Sequence, residues 1–137
     1  MSEASLEKNS SNLLLEKVSE NLGKVMPKSE PFNHWLYNSV LLDETVDELL
    51  ELKLPLPKIE NHKGKREIYN ESRIFFNKES CDKYPVIKGI VNVFNNPDII
   101  SQLGNICGRD LTQGKLRIEH TLDSGDFWLE PHLDIKE

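Results

Sequence analysis

The stretch KLRIEHTLDSGDFWLEPHLDI, residues 115–135, decides the fold class of this 137-residue chain. Polar and apolar side chains alternate over residues 115–122 and again over residues 127–135, and the turn cluster Asp123-Ser124-Gly125-Asp126 separates the two runs. Alternation of this kind is typical of strands with one buried face, and a Gly-containing turn between two such runs indicates a hairpin. The sequence therefore predicts a β-hairpin.

The second strand of this predicted hairpin has one apolar and one polar face, because successive side chains of a strand point to opposite sides. Its apolar face can pack on helices and carries Phe127, Leu129, Leu133 and Ile135. Its polar face carries Trp128, Glu130, His132 and Asp134. His132 and Asp134 thus project side by side, and imidazole and carboxylate are two of the ligand types of 2-His-1-carboxylate iron sites.

A His and an Asp two residues apart also arise by chance, so a solvated strand face with an incidental His is the alternative interpretation. Three features of the sequence favour a site. The pair shares its face with Trp128, a Gly-containing turn precedes it, and helices that can support a sheet come before it. A strand is also a rigid element on which a metal site is well held.

Residues 116–134 resemble the iron-binding hairpin of the 2-oxoglutarate/Fe(II)-dependent oxygenases, and most of all the prolyl-hydroxylase-like branch. In that branch a strand, a Gly-containing turn and an aromatic or aliphatic pair commonly precede Pro-His-x-Asp, which here is Pro131 to Asp134. The segment PFNHWLY, residues 31–37, with a helix following from Asp43, is similar to the start of many such enzymes.

The resemblance implies roles for four residues. His132 and Asp134 are expected to bind Fe(II), and Trp128 is expected to wall the pocket. His120 lies near the position where many relatives have a Tyr that helps to bind 2-oxoglutarate, so we expect it to contact this cosubstrate. The expected cofactors are therefore Fe(II) and 2-oxoglutarate, and the substrate is not indicated.

The resemblance also implies an α+β fold, with helices packed on a partial double-stranded β-helix (jelly-roll) sheet that is truncated after the strand bearing His132 and Asp134. In the family, the second iron-binding His and the basic residue that binds 2-oxoglutarate belong to later strands. We therefore expect an N-terminal portion of an oxygenase, with incomplete cofactor binding and no activity by itself. The alternative is a non-catalytic remnant or protein-interaction module that keeps the oxygenase-like support.

The rest of the sequence predicts the elements that come before the hairpin. Residues 1–30 are expected to form a polar tail and an amphipathic helix, and residues 31–137 the oxygenase-like domain. Apolar spacing predicts helices over residues 11–25, over about 43–53 with Asp43 as N-cap, over 84–94, and from Pro97 to Gly108. Short strands are predicted at residues 31–37 and 73–76.

Composition limits the partners and the location. The net charge of −6 and the absence of a basic stripe argue against nucleic acid. No apolar run approaches the roughly 20 residues that span a bilayer, so no membrane partner is expected. Cys81 and Cys107 have no metal-ligand spacing, and we expect free thiols in the cytoplasm. An exposed strand edge of a partial sheet would allow self-association.

Overall fold

A computed structural model describes residues 3–54 and 73–122, with side chains from residue 11 onward. The helices and strands in this part of the chain are, in order, α1 (Glu3–Leu22), α2 (Asp43–Leu50), β1 (Arg73–Phe75), α3 (Lys78–Lys83), α4 (Pro85–Phe94), α5 (Pro97–Cys107) and β2 (Glu119–Thr121).

The apolar face of α1 is the centre of the core. Leu14, Val18 and Leu22 are spaced four residues apart, so they lie on one side of the helix, and all three are buried. They pack together with Val93 of α4 and Ile99 of α5. The amphipathic helix predicted over residues 11–25 is present, although it begins at Glu3 and ends at Leu22.

The ends of α4 and α5 follow local sequence signals. Pro85 occupies the first turn of α4, where its missing N–H is not needed. The side chain of Asn96 accepts a hydrogen bond of 2.8 Å from the backbone N–H of Asp98 at the start of α5. Gly108 ends α5 in the left-handed conformation at φ 64°. The helices predicted over residues 84–94 and from Pro97 to Gly108 are confirmed to within one residue.

A polar contact fixes α1 against α5 beside the core. The hydroxyl of Ser19 donates to Oε1 of Gln102 at 3.0 Å, and Nε2 of Gln102 donates to the backbone carbonyl of Ser19 at 2.8 Å. Each residue is therefore donor and acceptor at once. This reciprocal pair fixes how far the two helices can slide along each other.

Two details of the predicted α2 are wrong. Asp43 is the first helical residue, and the N-cap is Leu42, whose extended backbone provides no side-chain cap. The Asp43 carboxylate is still favourable there because it faces the positive end of the helix dipole. The buried side chain of α2 is Thr45, and Leu49 is half-buried, whereas the apolar side chains of Val46 and Leu50 are exposed. Apolar spacing therefore predicts the helix but not all of the side chains that it buries.

The predicted strand at residues 31–37 is not present. An isolated antiparallel bridge joins Lys28 to His34, with both backbone N–H groups donating across it at 2.9 Å. Pro31 lies between them and has no N–H for a sheet ladder. The aromatic residues of this segment therefore belong to a loop.

The two described strands form a small antiparallel sheet, in which Ile74 lies opposite His120. The strand predicted near residue 73 is confirmed, and the first strand of the predicted hairpin is present as the three residues of β2. The second strand of that hairpin lies outside the described residues, so the jelly-roll sheet stays a prediction. The helix α3 was missed, because its six residues have no apolar periodicity.

Two glycines inside helices allow a matched test of packing. A Cβ added at Gly104 in α5 would lie 2.7 Å from the carbonyl oxygen of Arg109, whereas the nearest contact at Gly89 in α4 would be Leu14 Cδ2 at 3.8 Å. We expect Gly104→Ala to lower the free energy of unfolding by about 1–3 kcal/mol. Gly89→Ala should raise it by up to about 1 kcal/mol, through helix propensity. Urea unfolding measures both changes, and equal effects would contradict the packing of α5 on the Arg109 backbone.

Candidate functional site

The structure places one of the four predicted site residues. His132, Asp134 and Trp128 lie outside the described residues, so their proposed roles stay predictions. His120 lies in the middle of β2. Its strand pairs with β1.

His120 is half-buried beside the other strand. It lies opposite Ile74, and opposite residues of an antiparallel pair share a face, so the imidazole stands next to this aliphatic side chain. Its Nδ1 atom is buried and has no hydrogen-bond partner among the described residues. A buried ring nitrogen without a partner is costly. This nitrogen is a polar group without a partner at the sheet, and the contact of His120 with 2-oxoglutarate stays a prediction.

The other face of the sheet carries an ion pair. Arg73 Nη1 lies 3.6 Å from Glu119 Oε2, and the two side chains are 16% and 22% exposed. The guanidinium also lies 5.8 Å from the ring centroid of Phe75 on the same strand. Since this pair is largely shielded from water, its attraction is screened less than that of a surface pair. It joins β1 to β2 on the side opposite His120.

A capping box holds the sheet against α3. The side chain of Asn77 accepts from the backbone N–H of Ser80 at 3.0 Å, and the Ser80 hydroxyl accepts from the backbone N–H of Asn77 at 2.9 Å. The same hydroxyl lies 2.6 Å from the carbonyl oxygen of Phe75, to which it donates. The end of β1 and the start of α3 are therefore one hydrogen-bonded unit.

The remaining candidate ligands are dispersed. No group of three His, Cys, Asp or Glu side chains that could hold a metal ion occurs in residues 3–54 and 73–122. His34 Nδ1 lies 2.8 Å from the carbonyl oxygen of Phe32, and the two rings meet edge to face at 5.7 Å. His34 thus has a local structural role.

Cys81 and Cys107 are free thiols, as predicted.

A groove that the sequence did not indicate lies between α1 and α2. Its volume is about 610 Å³. The lining comes from the end of α1, the loop at residues 36–42 and the start of α2: Lys17, Asn21, Lys24, Val25, Leu36, Tyr37, Asn38, Ser39, Leu41, Leu42, Asp43 and Glu44. Helical or strand periodicity cannot reveal it, because it forms between segments that are separate in sequence.

The groove has side chains of both charge signs. On the α1 side, Lys17 and Lys24 both bind Glu20, and these hydrogen bonds lower the pKa of the Glu20 carboxyl. On the other side are the carboxylates of Asp43 and Glu44, for which the described part of the chain provides no ion-pair partner. The groove therefore has a basic side and an acidic side.

Tyr37 lies where the groove meets the core. It packs against the buried cluster of α1, α4 and α5. Its hydroxyl is buried without a hydrogen-bond partner among the described residues. Burial raises the pKa of Tyr37, and the nearby Cys107 thiol raises it further. The hydroxyl therefore stays neutral, and Tyr37 serves to attach the loop to the core.

Comparison with known proteins gives no relative. No family model, curated protein or solved structure matches the chain. The family resemblance therefore rests on the residues of the segment 116–134.

Within the described residues, the helices include none with the length and apolar character needed to cross a bilayer.

The contact between α3 and the sheet can be tested at Ser80. Ser80→Ala leaves the Phe75 carbonyl and the Asn77 N–H without their partner, so we expect the free energy of unfolding to fall by about 1–3 kcal/mol. Hydrogen exchange of the Phe76 amide, which donates to Ile118 at 2.9 Å, should become faster. Ser39→Ala is the control, because Ser39 is exposed and donates to a backbone carbonyl only two residues away. A melting temperature equal to that of the control would contradict the anchoring role.

Proposed function

We propose that this chain is the N-terminal portion of an Fe(II)- and 2-oxoglutarate-dependent oxygenase and supplies two of its iron ligands, His132 and Asp134. The observation that carries the proposal is the spacing of these two residues in the alternating run after the Gly-containing turn. Imidazole and carboxylate two positions apart on one strand are the ligand types of a 2-His-1-carboxylate site. The substrate class is left open.

The described fold supports the proposal at one point. β2 ends at Thr121, two positions before Asp123 of the turn cluster, so a short strand lies within the first arm of the predicted hairpin. That strand pairs with β1, and the capping box of α3 holds β1 in place.

Bound Fe(II) and 2-oxoglutarate would supply activation of O₂ for oxidation, most often hydroxylation. The residues of this chain would bind the ion and exclude water from it. His132 would offer a neutral imidazole nitrogen and Asp134 an ionised carboxylate oxygen. Both would be held by one strand, so that the two donors converge on one ion. Trp128, on the same predicted face, would exclude water from that side.

A non-catalytic interaction module is the second candidate, and exposed apolar side chains favour it. Met26, Phe32 and Leu36 are each more than 60% exposed, at 79%, 68% and 64%. Single exposed apolar residues are ordinary, whereas a group of them marks interaction surfaces. The two candidates differ in whether the chain binds a metal ion at His132 and Asp134.

Paramagnetic broadening by Mn(II) tests the metal site on the chain itself. Mn(II) accepts the same oxygen and nitrogen ligands and broadens nearby amide signals even when it binds weakly. We expect broadening to be strongest at residues 131–135, and His132→Gln and Asp134→Asn each to abolish it there. Asp126→Asn removes one carboxylate from the same segment outside the His-x-Asp pair, so it is the control and should leave the broadening unchanged.

Two results would contradict the proposal. Broadening centred on the acidic side chains at the start of α2 would show that Mn(II) binds to surface carboxylates because of the net negative charge, and not to the His-x-Asp pair. Broadening at residues 131–135 that survives both ligand changes would show that His132 and Asp134 do not bind the ion. Either result would favour the interaction module.

A further inference from the structure

The helix α2 carries a row of exposed apolar side chains. Val46 and Leu50 are four residues apart, so they lie on one face of the helix, and they are 38% and 71% exposed. On the side of α2 that packs on the domain, Thr45 is buried and Leu49 is half-buried. The helix therefore has one face in the core and a second apolar face in contact with water.

This row begins at the groove between α1 and α2. Leu42 lies one turn before Val46 and lines the groove, and its carbonyl accepts a hydrogen bond from the Val46 N–H at 3.1 Å. Leu36, which is 64% exposed, lines the same groove. From Leu42 to Leu50 the row extends over two helical turns, about 12 Å. We call Leu36, Leu42, Val46 and Leu50 the α2 surface.

Carboxylates border the α2 surface without basic partners. Asp43 precedes Val46 by three positions and Asp47 precedes Leu50 by three, so each carboxylate is a neighbour of an apolar residue on the helix. The five acidic residues of this segment are all exposed, and no ion pair joins them to a described residue: Asp43, Glu44, Asp47, Glu48 and Glu51. Among the described residues they also form no group that could hold a metal ion.

The charges of α2 oppose the formation of the helix. Three pairs of like charges lie four residues apart: Asp43 and Asp47, Glu44 and Glu48, and Asp47 and Glu51. Each such pair destabilises a helix. Basic groups that a partner places beside these carboxylates remove the repulsion, so binding of such a partner makes α2 more stable.

We propose that the α2 surface binds an amphipathic helix of another protein, one with Lys or Arg residues beside its apolar stripe. The apolar side chains of that helix pack on Leu42, Val46 and Leu50, and its basic groups meet the carboxylates of Asp43 and Asp47. An amphipathic helix that lays its apolar face along a groove is a common mode of peptide recognition. This inference is independent of the proposed metal site.

Charge complementarity is the reason to choose a basic helix as the partner. The carboxylates of α2 repel the phosphates of nucleic acid and the anionic surface of a membrane. A second copy of this chain does not provide a free basic face among its described helices. There, α2 and α5 contain no Lys or Arg, α4 contains only Lys88, and α3 has one acidic residue for each Lys. In α1, Lys17 and Lys24 already bind Glu20.

Fluorescence anisotropy with a labelled synthetic peptide tests the proposal on the full chain. The peptide contains only Leu and Lys, is about 16 residues or roughly four turns long, and has its Leu residues three and four positions apart. The control peptide has the same composition in scrambled order, so it has equal charge but no apolar stripe. We expect the amphipathic peptide to bind at least about tenfold more tightly than the scrambled one, because only its apolar face fits the α2 surface. Hydrogen exchange of the α2 amides should become slower in the complex.

The apolar contact is tested at Leu50. Leu50→Ser should raise the dissociation constant of the amphipathic peptide at least about fivefold, as expected for an apolar anchor of an interface. Leu13→Ser is the control, because Leu13 is 56% exposed on α1 and does not line the groove, and it should leave the dissociation constant unchanged.

The charge contact is tested at Asp47. Asp47→Asn removes a carboxylate that the peptide needs, so its dissociation constant should rise. The same change removes two of the three repulsive pairs of α2, so the melting temperature should rise as well. Weaker binding by a more stable protein separates a binding role from a structural one. Asp82→Asn, which removes one exposed carboxylate from α3, is the control and should leave the dissociation constant unchanged.

Three results would overturn the proposal. Equal affinity for the two peptides would show that the chain attracts them by net charge alone. Equal affinity of Leu50→Ser and Leu13→Ser, with Asp47→Asn equal to Asp82→Asn, would place the peptide on another surface. If replacing Lys63 and Lys65 by Gln tightened binding of the amphipathic peptide but not of the scrambled one, the α2 surface would belong to basic residues of the chain itself.

Discussion

The packing of the apolar face of α1 on α4 and α5 is the contact on which the other described helices depend. Burial of an aliphatic side chain such as Val18 or Ile99 contributes roughly 1.5–3 kcal/mol. The helices α2 and α3 have eight and six residues, and helices this short are marginal without tertiary contacts. Their stability therefore comes from the layer that α1, α4 and α5 form.

The same core determines the position of the groove and of the loop at residues 26–36. After α1 ends, residues 37 and 40–42 return to pack on the buried cluster, and the side chain of Asn21 donates to the carbonyl of Val40 at 3.3 Å. The loop is thus held at both ends, by α1 before it and by the core after it.

Sequence predicted the helices whose signals are local. Proline in the first turn of α4, the Asn96 cap and Gly108 act within a few residues, so they can be read without knowing the fold. The segment at residues 31–37 has aromatic residues of strand type, yet it contains Pro31 and forms a single bridge, with no strand beside it among the described residues. Helix α3 depends on the contact of Ser80 with Phe75, and the burial of Thr45 depends on the position of the core. These arrangements are tertiary and have no periodic signal.

The candidate site residues also differ in whether local spacing or tertiary contacts determine their positions. A shared strand face for His132 and Asp134 is predicted by the two-residue period alone, so the ligand types can be proposed from sequence. Convergence of a third ligand or of 2-oxoglutarate on that pair depends on strand pairing between distant segments, as the pairing of Ile74 with His120 illustrates. His120 illustrates the difference: its type and position predict a cosubstrate contact, whereas its place opposite Ile74 is set by the pairing of β1 with β2. Local spacing therefore indicates which chemistry a segment can offer, and the non-local contacts decide whether that chemistry is brought together.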